Sequence, residues 1–143
     1  MKDIIPPCTN VKQSRLLVQV GIDPNTADMV YYFDHGELLI PNAKLISGRV
    51  KHDIPDWNND TFLPAWSLTA LLNLLPETLL YDTDDEGFTA DGYDLVIKGQ
   101  GNRISYSDGD KSVFDSGIQL NLLNAAVETV VWLARDLAWF DPE

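Results

Sequence analysis

The chain has little cysteine and no long apolar run. Cys8 is the one cysteine among 143 residues, so an intrachain disulfide is excluded and we expect a reducing compartment. Cys8 has no companion motif, which favours an incidental rather than a nucleophilic role. No apolar segment approaches the roughly 20 residues that a membrane-spanning helix needs, and the N-terminal residues lack a secretory pattern. We therefore predict a cytoplasmic protein.

Basic residues are also scarce. The chain has 22 Asp and Glu residues against 10 Lys and Arg residues, a formal charge of −12. The cations are scattered along the sequence, whereas nucleic-acid backbones and anionic membranes are bound by clustered cations. We expect neither direct nucleic-acid binding nor membrane binding. The acidity has two readings: it keeps the protein soluble, or it imitates DNA towards a DNA-binding protein.

Three segments have the pattern of helices. Asn10 and Gln13 are spaced as a capping box before the first, and Ser67 is placed to cap a second that Pro76 stops. Residues 122–138 form the third, with a core-facing stripe centred on Leu123.

Strand patterns fill much of the remaining sequence. Residues 30–34 and 37–40 flank His35 and Gly36 as a two-residue hairpin, and residues 79–116 alternate as a β meander with short turns. Short connections between consecutive strands favour antiparallel pairing. We predict a single α+β domain over residues 1–143, in which an antiparallel sheet (hairpin plus meander) packs against about three helices.

The third helix carries aromatic residues away from its core stripe. Trp132 and Trp139 are seven residues apart and fall roughly opposite Leu123. One interpretation is a helix clamped between a sheet and a second helix or the chain end. The other is a surface for a protein partner or a second copy, formed by Trp132, Trp139 and Phe140, with Trp57 in a separate loop as a further candidate.

An acidic segment resembles part of a calcium loop. Asp82, Asp84 and Glu86 alternate before Gly87, so their oxygens could converge on Ca²⁺ or another divalent cation. The twelfth position is Tyr93, where such a loop requires a bidentate Glu. The two readings are a solvated acidic turn, with no cofactor, and a cation site.

Catalytic patterns are weak. His52 lies beside Asp53 and could be drawn as a relay with Asp56 or Ser67, but neighbours in sequence rarely point at one reacting atom. Gly99 and Gly101 lack the third glycine and the following helix of a dinucleotide-binding loop.

Several short motifs together resemble a known pattern. They are QSRLL and GIDPNTADM in residues 13–29, IP in 54–55, PAWSLTALL in 64–72, LP in 75–76, and NAAVE and WL in 124–133. These motifs look like those of short proteins encoded by prophages and mobile elements of gut bacteria. The resemblance implies a compact cytoplasmic α+β protein and assigns no activity to any residue. Residues 133–136 depart from the Leu-Leu and Glu pattern of those proteins.

These features favour an accessory or interaction protein without catalysis. Its predicted partner is another protein or a second copy, bound through the aromatic residues of the third helix or through the loop around Trp57. The alternatives are a small metal-dependent or hydrolytic enzyme that uses residues 82–94, and an acidic DNA mimic that inhibits a DNA-binding protein.

Overall fold

The computed structural model describes residues 6–34, 37–38, 44–45, 61–81 and 91–140. In this part of the chain it has three α-helices: α1 (Val11–Gln19), α2 (Leu68–Asn73) and α3 (Leu122–Asp136). The strands are β1 (Met29–Asp34), β2 (Glu37–Leu38), β3 (Lys44–Leu45), β4 (Phe62–Ala65), β5 (Thr78–Tyr81), β6 (Asp91–Lys98), β7 (Arg103–Ser107) and β8 (Ser112–Asp115). The predicted α+β class is confirmed.

The described strands pair antiparallel in two sheets. In the first, β1 is central and pairs with β2, β3 and β4, with Asp34 opposite Glu37 in the predicted hairpin. In the second, β5, β6, β7 and β8 follow one another as the predicted meander. In the described residues, the hairpin belongs to the first sheet, which β3 and β4 also join. The meander forms the second sheet.

Local side-chain bonds fix where the helices begin. Asn10 caps α1: its Oδ1 accepts from the Gln13 amide, and Gln13 Oε1 accepts from the Asn10 amide. The predicted capping box is confirmed. Ser67 caps α2, as predicted, by accepting from the Ala70 amide. Asn121 caps α3 by accepting from the Asn124 amide at 2.8 Å.

Helix α3 lies in the middle of the core. It packs against the second sheet through β7 and β8, and against α1 and α2 on other sides. Because it has neighbours on several sides, Leu123, Val130 and Leu133 are fully buried although they do not all share one narrow stripe. The main role of α3 in the fold is therefore to pack the core.

The C-terminal end of α3 differs from the predicted boundary at residue 138. The helix ends at Asp136, Ala138 adopts a left-handed backbone with φ 48°, and the Trp139 amide donates to the Leu133 carbonyl at 3.1 Å. Left-handed residues commonly terminate helices because they turn the chain away from the axis. Trp139 is therefore outside the helix.

In the described residues, no helix combines the length and the apolar character needed to cross a membrane.

Candidate functional site

Large apolar side chains are exposed at a few described positions, and most of them lie at one end of the second sheet. Ile118 is 78% exposed and Leu120 is 72% exposed, both in the loop of residues 116–121 that connects β8 to α3. Ile97, 41% exposed, precedes the turn between β6 and β7. The other two described residues of this kind, Leu80 and Trp139, lie elsewhere in the chain.

The loop is held in place by hydrogen bonds to that same turn. The Gln119 amide donates to the Gly101 carbonyl at 3.0 Å. The Asn102 side chain donates to the carbonyls of Gln119 and Leu120, both at 3.2 Å. The Gln119 side chain donates back to the Ser116 carbonyl at 2.7 Å. The two exposed aliphatic side chains therefore project from an ordered backbone.

Gly101 is needed for this arrangement. It has φ 82°, a conformation that L side chains rarely adopt, and a Cβ placed there would lie 3.5 Å from Cγ1 of Ile118. The positive φ is what favours glycine here, since 3.5 Å is an ordinary van der Waals distance.

A pocket of about 330 Å³ adjoins the loop, between α1 and the first turns of α3. Leu16 and Val127 give it an apolar part. Amide and charged side chains supply the rest: Asn10, Lys12, Gln13, Gln119, Asn124 and Glu128. The Gln13 amide nitrogen donates to Asn124 Oδ1 at 2.8 Å, which ties the two helices together at the pocket. We call Ile97, Ile118, Leu120 and this pocket the loop surface.

The chemistry of the loop surface suits binding. Aliphatic side chains gain free energy when a partner removes them from water, and carboxamides can donate to and accept from a partner's backbone. The described residues of the pocket lining include one lysine and one glutamate. Across the residues described by the structure, no group of three or more His, Cys, Asp or Glu side chains is arranged to hold a metal ion.

The predicted aromatic residues differ in their exposure. Trp132 is partly buried and stacks on Phe114, with ring centroids 4.8 Å apart. The ring centroids of Trp132 and Tyr106 are 6.2 Å apart. Phe140 is also partly buried against the core, whereas Trp139 is 46% exposed beyond the helix end. Trp132 thus occupies the position expected for a helix clamped against a sheet.

Other candidates lie outside the described residues. These are Trp57 and the proposed cation ligands Asp82, Asp84 and Glu86, together with His35, His52, Asp53 and Asp56.

Two side chains that carry nucleophilic atoms are engaged in structural bonds. The Ser67 hydroxyl donates to Asp28 and accepts from the Ala70 amide as the cap of α2. Cys8 is 5% exposed, with its Sγ 3.8 Å from the Tyr31 hydroxyl, and burial raises the pKa of its thiol. The Cys8 thiol is therefore protonated at neutral pH and shielded from reagents.

Ile118 and Leu120 are the residues that sequence reasoning missed. They alternate with Gln119 and Asn121, which is typical of a strand, but this segment forms a connection between β8 and α3. A usable signal is two large aliphatic residues between Gly117, which has φ 72°, and the Asn121 cap. Such residues in a short connection are not explained by a helix or strand face.

Comparisons with protein-family models, with curated proteins and with solved structures find no match to this chain.

Proposed function

We propose that the protein is a non-catalytic interaction protein that binds a protein partner through the loop surface. The observation that carries this proposal is the exposure of Ile118 and Leu120 on a backbone fixed by hydrogen bonds to Gly101 and Asn102. A loop that is already ordered loses little conformational entropy on binding, so more of the apolar burial appears as affinity.

The charge of the chain favours a basic partner over a second copy. Two copies would each bring a formal charge of −12 to the interface. Like charges of this size oppose self-association, whereas a positively charged protein is attracted and oriented by the same field. The acidic DNA mimic is the form of this proposal in which the partner is a DNA-binding protein. We further propose a cytoplasmic location and a prophage or mobile-element origin, which rest on the sequence motifs alone.

The test uses a double variant and a matched control. Ile118→Ser with Leu120→Ser removes both exposed side chains, and Leu80→Ser removes a side chain of similar exposure, 76%, on β5. The wild-type chain is immobilised, bacterial proteins that it captures are identified, and each is purified and measured by calorimetry. Truncation of a hot-spot residue costs about 2 kcal/mol or more, and we expect Ile118 and Leu120 together to reach this value, so the double variant should bind at least about 30-fold more weakly.

Three results together support the proposal: a basic partner, the large loss in the double variant, and unchanged affinity in Leu80→Ser. All variants should keep the wild-type melting temperature within a few degrees, since exposed positions contribute little to stability. Equal binding by the double variant would overturn the loop surface as the site. A dimer in light scattering that dissociates only in the double variant would replace the basic partner with a second copy.

A further inference from the structure

The second sheet has a polar pocket on the face turned away from α3. The inner face of this sheet buries Tyr93, Ile104 and Tyr106. The pocket on the outer face has a volume of about 270 Å³. Its polar lining comes from Lys98, Arg103, Ser105, Ser107, Ser112 and Asp115. None of these residues belongs to the loop surface, so the inference below is independent of the proposed function.

Ser105 contributes a hydroxyl to this pocket. The residue is only 9% exposed because β7 is flanked by β6 and β8 within the sheet. Its hydroxyl lies on the same face as that of Ser107, which donates to the Lys111 carbonyl and accepts from the Gly109 amide. A serine hydroxyl that lines the pocket can donate a hydrogen bond to a ligand there.

Among the described residues that line the pocket, cations outnumber anions. Lys98 lies directly opposite Arg103 in the β6–β7 register, a placement of like charges that is unfavourable on its own. Asp115 offsets one of them, since Arg103 Nε donates to its Oδ1 at 2.8 Å and Arg103 Nη2 to its Oδ2. Hydrogen bonds from Arg103 lower the pKa of Asp115, and Lys98 adds to the effect, so the carboxylate is charged at neutral pH. The charges of Lys98, Arg103 and Asp115 therefore sum to one positive charge.

This local charge can act despite the acidity of the chain. At physiological ionic strength, interactions between exposed charges fade beyond about 8 Å. The charges nearest a bound ion therefore count more than the formal total of −12. Serine hydroxyls, a lysine and the free N–H groups of an arginine are donors that match the oxygens of a tetrahedral anion.

We propose that the pocket on the outer face of β6, β7 and β8 binds a phosphate group, with Lys98, Arg103 and the Ser105 hydroxyl as its donors. The pocket volume is near the lower end of the range typical for small-molecule sites, about 300 Å³. This size suits a phosphate carried on a short organic group better than free phosphate alone.

The test is a titration of the full chain followed by amide NMR spectra at constant ionic strength. The probes are inorganic phosphate, glycerol 3-phosphate and glycerol, with sodium chloride as the salt control. We expect saturable shifts of the amides of residues 98, 103, 105 and 112 with both phosphates, tighter binding of glycerol 3-phosphate, and no saturable shift with glycerol or chloride. Saturation by inorganic phosphate with equal affinity would identify the free ion as the ligand and leave the site in place.

Variants separate a defined site from general charge attraction. Ser105→Ala should weaken phosphate binding by about tenfold, as expected for a bond to a charged group, without lowering the melting temperature. Lys98→Gln should weaken it to a similar degree, while Lys111→Gln, an exposed lysine outside the pocket lining, should leave it unchanged. Non-saturating shifts, full affinity in Ser105→Ala, or equal losses in the two lysine variants would each overturn the proposal.

Discussion

Trp132 and Phe140, towards the C-terminal end of helix α3, pack against the core, whereas the large apolar residues of the loop before its N-terminal end are exposed. At the C-terminal end, Trp132 stacks on Phe114 and Phe140 packs against the core. At the N-terminal end, Ile118 and Leu120 are mostly exposed in the loop that leads into the Asn121 cap. Polar groups hold that loop, since Asn102 and Gly101 bond its backbone.

This contrast shows that residue size alone does not predict which apolar side chains are exposed. The larger side chains of α3 are used by the fold because β7 and β8 lie within reach of Trp132. The smaller side chains of Ile118 and Leu120 remain exposed because hydrogen bonds, rather than apolar packing, fix their backbone. A partner surface is therefore better sought where an ordered backbone presents apolar groups to solvent.

The largest expected effect separates Trp132 from Trp139. Trp132→Ala should lower the free energy of unfolding by about 3 kcal/mol, the low end of the range for tryptophan truncation, because the ring is only partly buried. Trp139→Ala should change it by no more than about 0.5 kcal/mol, as is usual for exposed positions. Urea unfolding followed by circular dichroism measures both. Similar losses in the two variants would show that the C-terminal end is packed throughout and would remove the contrast.

The sequence predicted the elements whose signals are local. The Asn10 and Gln13 capping box, the Ser67 cap, and the alternation of β6 and β7 depend on neighbouring residues, and the structure has all of them. The pairing of β4 with β1 was not predicted. Pro64 in β4 argues against a central strand, and its place opposite Val30 depends on long-range packing that no short window records.

The candidate site was less predictable than the fold. The spacing of Trp132 and Trp139 predicts a shared surface only if the helix continues, and the left-handed Ala138 ends that continuity. Ile118 lies beside Gly101 in space, although the two residues are distant along the chain. Exposure is a property of the assembled molecule, so side-chain type and spacing could not identify the loop surface.

Asn102 tests whether hydrogen bonds hold the N-terminal end. Asn102→Ala removes the two bonds to the loop and leaves a non-glycine residue at φ 51°, which together should cost about 2 kcal/mol of stability. Asn102→Gly removes the same bonds without the steric penalty and should cost about 1 kcal/mol. In both variants, hydrogen exchange at the Gln119 amide should accelerate. Unchanged exchange would mean that apolar contacts, as at the other end of the helix, order the loop.

The smallest expected effect concerns how the C-terminal end stops. Ala138 has φ 48°, a conformation that glycine adopts without steric cost. Ala138→Gly should therefore stabilise the protein by about 0.5 to 1 kcal/mol and raise the melting temperature by about 2 to 4 °C. Ala134→Gly provides the matched control, since the same change inside α3 should destabilise by about 1 kcal/mol. A loss of stability in Ala138→Gly would indicate that the methyl group of Ala138 contributes more by packing than it costs in backbone strain.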